Sequence, residues 1–320
     1  MKALSLAVNE AWKYQLLTYP NPAVGCAVIV KNQIFTDAHK KAGEPHAEVN
    51  ALFKAFSFFH KTPKLNSAKE IHEFLIKNHN NFFKDAEIYV TLEPCSHIGK
   101  TPSCANLLSV LKPKKVTIGW LDPIIEHSGG AGILKNAGIE VEVINDKRCF
   151  DLIEPFIKWN KDKFIFFKLA QSLNGVITGG YISSESSLKW VHQIRDKIDL
   201  LVIGGNTVRI DRPTLDSRRV KGIAPDVLIY SKQKEFDKTI PLFNVKGRRV
   251  FIEDNLKRLN DYNFIMVEGG EKLYNELKDF VDWKVFIITP KMFMRNNFKT
   301  NDEIEIMHIE KKDDFVVWGR

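Results

Sequence analysis

An α/β protein of two domains is what this sequence predicts, and three observations predict it. The chain has 320 residues, a length near which single hydrophobic cores stop growing and chains divide. Its first half alternates short apolar runs with helical patterns, the strand–helix rhythm of a layered α/β domain. A second series of strand-like runs begins at residue 164.

"MKALSLAVNEAWKY" opens as an amphipathic helix with Leu4, Ala7, Val8 and Ala11 on one face. "CAVIV" (26–30) and "AEIYVTL" (86–92) read as buried strands. "KKVTIGWLD" (114–122) and "IEVEVI" (139–144) are strands that each follow a helical segment. Segment 56–84, rich in Phe, Lys, Asn and His, reads as a surface insertion carrying one helix, "SAKEIHEFLIKNH". Residues 145–163 read as a polar start and a helix, which sets the domains at 1–147 and 148–320. Six strands follow: 164–170, 199–205, 226–231, 249–253, 263–270 and 283–290. There is no internal repeat and no long Ser/Gly linker.

Composition bounds the function. Apolar content of 44% and charged content of 27% are ordinary for a globular protein. No apolar run approaches the roughly 18 residues of a membrane span, and Glu10 and Lys13 come too early for a signal-peptide core. A cytoplasmic protein without a membrane partner is expected. The net charge of +8 favours anionic ligands, but no Arg-rich tail or Lys block points to nucleic acid. Four cysteines do not make a disulfide scaffold; in a reducing compartment, spaced Cys with His marks metal or catalysis more often than a bridge.

The chemistry concentrates in two stretches. In "GEPHAEVNALFKA", Pro45 sits where a helix starts, and His46 and Glu48 fall at its first turn. In "TLEPCSHIGKTPSC", Cys104 follows Pro102 at the start of another helical run, where the helix dipole favours a thiolate. His46, Cys95 and Cys104 each arrive from the end of an element. Three N/S ligands with one position open describe a catalytic Zn²⁺ site, and Glu48 is the carboxylate beside it. His-x-Glu, then Pro-Cys and a second Cys, is the pattern of zinc base deaminases. Cys26 and Cys149 lack such context and read as buried residues. The usual gap between the two cysteines is two residues; here eight intervene.

With "NPAVG" (21–25), "KAGEPHAE" (41–48) and "TLEPCSHIGKTPSC" (91–104), the chain resembles the bifunctional riboflavin-biosynthesis deaminase–reductases. The resemblance implies a cytidine-deaminase-like three-layer domain that deaminates a phosphorylated pyrimidine, 2,5-diamino-6-(5-phosphoribosylamino)pyrimidin-4-one. It implies Asn21 on the pyrimidine, His39 in the pocket, and Lys100 and Thr101 at the ribose phosphate. His97 is a substrate contact or a loop anchor. The gap from His46 to Cys95 is longer than in the family, and the 56–84 insertion accounts for it.

The second half contains no GxGxxG, but two strand–Gly-Gly–helix corners, "LLVIGGNTV" and "FIMVEGGEKL", suggest a nucleotide at the sheet edge. "KLAQSLNGVI", "IGGNTVRIDRPTLDSR", "VEGGEKLYNEL" and "ITPK" are similar to the family's dihydrofolate-reductase-like half. They imply NADPH and hydride delivery to the ribose C1′. By matched position, Gln171, Thr207, Asp211, Ser231 and the turn Gly270, Glu271, Lys272, Leu273, Tyr274, Asn275 and Glu276 would touch NADPH. Lys168, Ser186, Arg195, Leu215, Arg218 and Glu268 would touch substrate, with the arginines on its phosphate. Asn174 stands where the family has Asp, Leu188 where it has Trp, and the segment after Leu188 is short. The family implies a homo-oligomer, a dimer or larger. Two other readings remain: a deaminase with a degenerate reductase-like domain, and a nucleic-acid base deaminase, whose two-residue Cys gap and basic, aromatic strand path are not evident here.

Overall fold

The computed structural model describes residues 2–65, 67–97, 101–178, 180 and 182–320. The chain forms two units, Met1–Ile157 and Lys158–Arg320. The division falls at 157/158 rather than 147/148, inside helix α6 (Lys147–Lys161). The reason is packing. Cys149, early in α6, lies against Gly119, where an added Cβ would sit 2.3 Å from its sulfur, and the Leu152 carbonyl accepts from Gln15 Nε2 at 2.9 Å. The first turns of α6 therefore belong to the first unit.

In that unit, α1 (Lys2–Trp12) precedes β1 (Gly25–Val30), β2 (Gln33–Ala38), α2 (Ala47–Phe59), α3 (Ala68–Asn78) and β3 (Glu87–Leu92). Then come α4 (Cys104–Leu111), β4 (Lys115–Trp120), α5 (Gly130–Asn136) and β5 (Glu140–Val143). The sheet order is β2-β1-β3-β4-β5, antiparallel on either side of β1 and parallel from β3 to β5. Alternation along the strands splits the core into two faces. Ala27, Ile29 and Tyr89 meet Ala3 and Ala7 of α1, while Cys26, Val28, Val30, Ile88 and Val90 face the core filled by α2, α3, α4 and α5. This is the expected three-layer domain. Gly25 is required where α1 crosses β1, since a Cβ there would lie 1.9 Å from the Ala7 carbonyl oxygen. Strand β2 escapes the sequence reading because its first two residues are exposed; Lys31 and Asn32, both at positive φ, make the tight turn into it.

Segment 56–84 corrects an expectation. It is not a surface excursion: Phe56, Ile71, Leu75 and Phe83 are 4%, 5%, 0% and 0% exposed and join the main core. Its phenylalanines and aliphatic residues are what fill that core. Helix α3 carries a capping box, Ser67 with Glu70.

The second unit has an eight-stranded sheet, ordered β12-β13-β11-β6-β10-β7-β8-β9. β6 (Phe164–Ser172), β7 (Leu200–Gly204), β8 (Asp226–Tyr230), β9 (Val250–Glu253), β10 (Phe264–Glu268) and β11 (Trp283–Thr289) pair in parallel. Their continuous apolar runs suit strands covered on both faces. β12 (Ile306–Lys311) and β13 (Phe315–Gly319) add an antiparallel edge that the sequence reading misses. In β12, Ile306 and Ile309 are exposed and polar residues fall between and after them, so its pattern is not that of a buried strand. Helices α7 (Glu185–Arg195), α8 (Gly205–Asp211) and α9 (Glu271–Leu277) complete the unit. Among the described residues, no helix is long and apolar enough to cross a membrane.

Candidate metal centre and second-unit site

His46 is the N-cap of α2, with extended backbone (φ −70°, ψ 165°) and no side-chain capping bond. The helix starts behind it, so the ring is presented ahead of the helix. Cys95 follows β3, and Cys104 is the first residue of α4, whose N-cap is Ser103. His46 Nδ1 lies 3.6 Å from Cys95 Sγ and 3.4 Å from Cys104 Sγ, and the three donor atoms fall within 4.8 Å of one another. A tetrahedral ion with Zn–S of about 2.3 Å and Zn–N of about 2.0–2.1 Å needs N···S edges of about 3.5 Å. The residues present therefore fit Zn²⁺ in donor type and in spacing.

The outer contacts fix the ligands. Thr101 Oγ1 is 3.0 Å from His46 Nε2. With Nδ1 turned to the sulfurs, Nε2 carries the proton and donates to the threonine, the usual outer partner of a metal-bound imidazole. Thr101, which the resemblance puts at a phosphate, thus has its hydroxyl on the ligand. Lys100 lies outside the described residues. Without metal, the Cys104 thiol and His46 hold Cys95 as the thiolate, its pKa well below the ordinary range. Burial pulls His46 down, but the hydrogen bond it donates to the Cys95 thiolate and the Glu48 charge more than offset this and leave it raised. Glu48, 3% exposed, has its pKa pushed up to about 7 by burial first, with the Cys95 charge adding and His46 opposing. A carboxyl poised near neutrality suits proton transfer at physiological pH.

His46, Glu48, Cys95 and Thr101 line a cavity of about 400 Å³ within the first unit, together with Asn21, His39, His97, Asp122, His127 and Phe156. His39 Nδ1 is 3.1 Å from the Pro45 carbonyl, and its Nε2 is 3.0 Å from Asn21 Nδ2. The carbonyl only accepts, so Nδ1 carries the proton and Nε2 accepts from Asn21. Burial and the neighbouring His46 hold the His39 pKa down at about 4, so this ring is neutral and orients Asn21. Sequence reasoning missed three lining residues. His127 stacks on His97 at 4.7 Å and 14°, and Phe156 lies beyond it at 6.2 Å and 22°. Asp122 and His127 sit on a loop clamped by Glu93, whose buried carboxylate accepts from the N–H groups of Asp122, Gly129 and Ala131 at 3.1, 3.1 and 2.8 Å. The available signal was an acid at the end of an apolar strand, two residues before Cys95.

In the second unit, Lys168 and Glu268 are cross-strand neighbours on β6 and β10. Lys168 Nζ is 3.4 Å from Glu268, and Arg195, closing α7, reaches both Glu268 oxygens at 3.0 Å. Arg195 also donates to the Asp216 carbonyl at 3.5 Å, and Asp216 Oδ1 accepts from Arg218 at 2.5 Å. Four of the residues expected at substrate therefore gather at the carboxyl ends of adjacent parallel strands. Burial opposes the Glu268 charge, yet Arg195 and Lys168 leave its pKa below normal. The two Gly-Gly corners, Gly204-Gly205 and Gly269-Gly270, follow neighbouring strands β7 and β10, the place where open α/β sheets bind ligands.

Other expected residues are placed differently. Tyr274 is fully buried between Phe167 and Phe298, with its hydroxyl on Asp302. Leu273 and Leu215 are also core, the latter at φ 57° with its carbonyl held by Arg248 at 2.8 Å. These three side chains serve packing. Ser186 binds Asp313 at 2.7 Å, Glu271 accepts from Lys299 N–H at 3.1 Å, Asn275 accepts from Thr300 at 3.0 Å, and Ser231 donates to the Gln233 carbonyl at 2.8 Å. Gln171 and Thr207 are partly buried; Asp211, Lys272 and Glu276 are exposed. Asn174 holds Phe293 at both its N–H and its carbonyl, at 3.2 and 2.8 Å. Leu188 is half-buried, and two residues on, Trp190 packs edge-on to Trp318 at 5.5 Å.

Comparison with known proteins identifies the family. Residues 1–120 match the cytidine and deoxycytidylate deaminase zinc-binding region, and residues 163–293 match the RibD C-terminal domain. The chain is 32% identical to the riboflavin biosynthesis protein RibD of Aquifex aeolicus, over 90% of this chain and 86% of that one. The chain belongs to the RibD family. It is 33% identical to RibD of Actinobacillus pleuropneumoniae, over 88% and 81% of the two chains. Its fold is that of a diaminohydroxyphosphoribosylaminopyrimidine deaminase/5-amino-6-(5-phosphoribosylamino)uracil reductase from Thermotoga maritima, with TM-score 0.65, 24% identity, and coverage of 100% and 97%. As a RibD, the chain is an enzyme of riboflavin biosynthesis: a zinc-binding deaminase domain of cytidine-deaminase-like fold, followed by the RibD C-terminal reductase domain.

Proposed function

We propose that the first unit hydrolyses the 2-amino group of 2,5-diamino-6-(5-phosphoribosylamino)pyrimidin-4-one, and that the second reduces the ribosyl group of the product to ribityl with NADPH. The observation that carries the deaminase half is the pair of N···S edges, 3.6 and 3.4 Å, beside a buried Glu48. His46, Cys95 and Cys104 would hold the metal. When bound, Zn²⁺ supplies Lewis acidity that brings a water's pKa towards 7. Glu48 takes one proton from the attacking water and passes it to the ring nitrogen, then takes the second from the hydroxyl added to the ring carbon and passes it to the departing amine. Water and the amino-pyrimidine thus become the ring carbonyl and ammonia. Asn21, oriented by His39, positions the ring; the ribose phosphate is assigned to Lys100 by the family resemblance alone, and a substrate contact to the stacked His97.

For the reductase half, support comes from the family and from the two Gly-Gly corners side by side at the strand ends. NADPH when bound supplies the hydride to C1′. Lys168, Arg195 and Arg218 outnumber Glu268 and Asp216 in charge there, which suits a phosphorylated substrate. The turn 270–276 and Thr207 would border the cofactor chiefly through backbone and exposed side chains. We take the enzyme to be a cytoplasmic homo-oligomer, as family membership suggests.

The test is direct. Zinc content and ammonia release are measured for the wild type and Cys104→Ala, and NADPH oxidation is followed with the deaminated intermediate. About one zinc per chain, lost in Cys104→Ala together with ammonia release, is expected from a three-ligand site. A zinc-loaded chain that releases no ammonia from this pyrimidine ends the deaminase assignment. Ammonia release without NADPH oxidation leaves the deaminase-only reading.

A further inference from the structure

The metal loop is tied to a part of the chain that lies outside all of its motifs. Helix α3 turns Ile71, His72 and Leu75 inward. Ile71 and Leu75 enter the apolar core, but His72, 7% exposed, meets backbone: its Nε2 is 3.2 Å from the Ser103 carbonyl oxygen. A carbonyl only accepts, so His72 Nε2–H donates. Ser103 is the N-cap of α4 and the neighbour of Cys104. Its hydroxyl donates to the Cys95 carbonyl at 2.8 Å, and the Cys104 N–H points at Cys95 Sγ at 3.4 Å. The two sulfur ligands are thus linked through Ser103, and His72 holds that link from outside. The Ser103 carbonyl also accepts from Leu107 N–H at 3.2 Å within α4. One donor along the helix axis leaves the peptide free to tilt; a second from α3 stops the tilt.

We propose that His72 is a positioning residue for the metal centre, fixing the peptide before Cys104 so that both sulfurs stand at zinc-binding separation. This rests on the metal reading above. Outer partners that orient metal ligands are typically worth 10–100-fold in affinity. His72 acts one bond further out, so an effect of about tenfold is expected. Segment 56–84 is then more than core filling: it braces the site.

The experiment loads the full chain with zinc, adds excess chelator and follows zinc release. His72→Leu keeps bulk and loses the donor; His72→Asn stays polar but is too short to reach Ser103. His72→Gln brings an amide N–H to about the Nε2 position. Ser67→Ala removes the capping box of α3, Ser67 Oγ to Glu70 N–H at 3.2 Å, without touching Ser103. Release about tenfold faster in the Leu and Asn variants, near the wild-type rate in Gln and Ser67→Ala, is the expected result. Circular dichroism checks folding, and His72→Asn stands in if His72→Leu does not fold. Wild-type release in both Leu and Asn variants overturns the proposal. So does equally fast release in Ser67→Ala, which would show that any loosening of α3 suffices. A wild type that retains no zinc overturns the metal reading and this inference together, whereas a zinc-holding wild type with indifferent His72 variants overturns this inference alone.

Discussion

The metal centre of the first unit and the Lys168–Arg195–Glu268 cluster of the second are both buried and polar, and they lack opposite things. Around His46, the donors are two sulfurs and an imidazole, with Glu48 alongside and no Lys or Arg among the described cavity-lining residues. The surplus is negative, and protons have to be retained until a cation arrives. In the second cluster, two cations share one carboxylate at 3.0–3.4 Å. The surplus is positive, and burial lowers the Lys168 pKa first, with Arg195 adding to the effect and Glu268 opposing it. Buried charge is costly unless it is paired. Each site is therefore a partial set of charges that its proper guest completes: a metal cation in one, a phosphorylated anion in the other.

The comparison breaks most sharply at its two carboxylates. Glu48→Gln should retain zinc and lower the ammonia-release kcat by about 10²–10⁴-fold, the usual worth of a positioned general acid–base. NADPH oxidation with the deaminated intermediate should be unchanged. Retained ammonia release would show that Glu48 only fills space. Glu268→Gln should do the reverse. It leaves Lys168 and Arg195 buried without their partner, a change that costs about 3–5 kcal/mol where a buried pair is broken. Urea unfolding of the second unit should shift to lower concentration and NADPH oxidation should fall, with ammonia release preserved. An unchanged midpoint would mean that water already screens the cluster.

The two sites were not equally legible in the sequence, for a physical reason. A zinc centre demands particular side chains at element ends, so His46, Glu48, Cys95 and Cys104 stand out against any background. Most strands of both units were readable because burial makes them apolar; β2 and β12, half exposed edge strands, were not, and β13 was missed although Phe315, Val316, Val317 and Trp318 are apolar. What supports the metal ligands was not readable. Thr101 and His72 act by contacts between segments far apart in sequence, and no spacing rule announces them. The nucleotide side is worse still, since a Gly-Gly corner offers backbone rather than a side chain. Matched position named Tyr274 and Leu273 there, and Leu215 on the substrate side, all three with side chains that the fold uses as core.

A proton comparison sharpens the metal side. His39 is buried, neutral and held at about 4 against an ordinary value near 6.5. Its folded-state pKa is depressed, so between those values the unfolded chain binds a proton that the folded chain refuses. The stability it permits is whole above about pH 6.5 and is lost as pH falls towards 4, by about 3 kcal/mol in all for a shift of this size. Zinc-free His39→Gln should show a flatter acid limb than zinc-free wild type in urea unfolding between those pH values. Parallel limbs would place the acid loss elsewhere.

The smallest effect concerns the departure that most favours a degenerate reductase. Asn174 replaces the aspartate of the family pattern, which suggests a site losing its function. In the fold, however, its Nδ2 donates to the Phe293 carbonyl, and its Oδ1 accepts from Phe293 N–H and from Ser172 at 2.7 Å. An amide is the only side chain of this size that offers both a donor and an acceptor to one peptide. Aspartate would keep the acceptor, lose the donor and set a carboxylate against a carbonyl. Asn174→Asp should therefore cost about 1–2 kcal/mol and bring no gain in NADPH oxidation. A variant that instead oxidises NADPH faster would mark residue 174 as a lost functional position, and would move the second unit towards the deaminase-only reading.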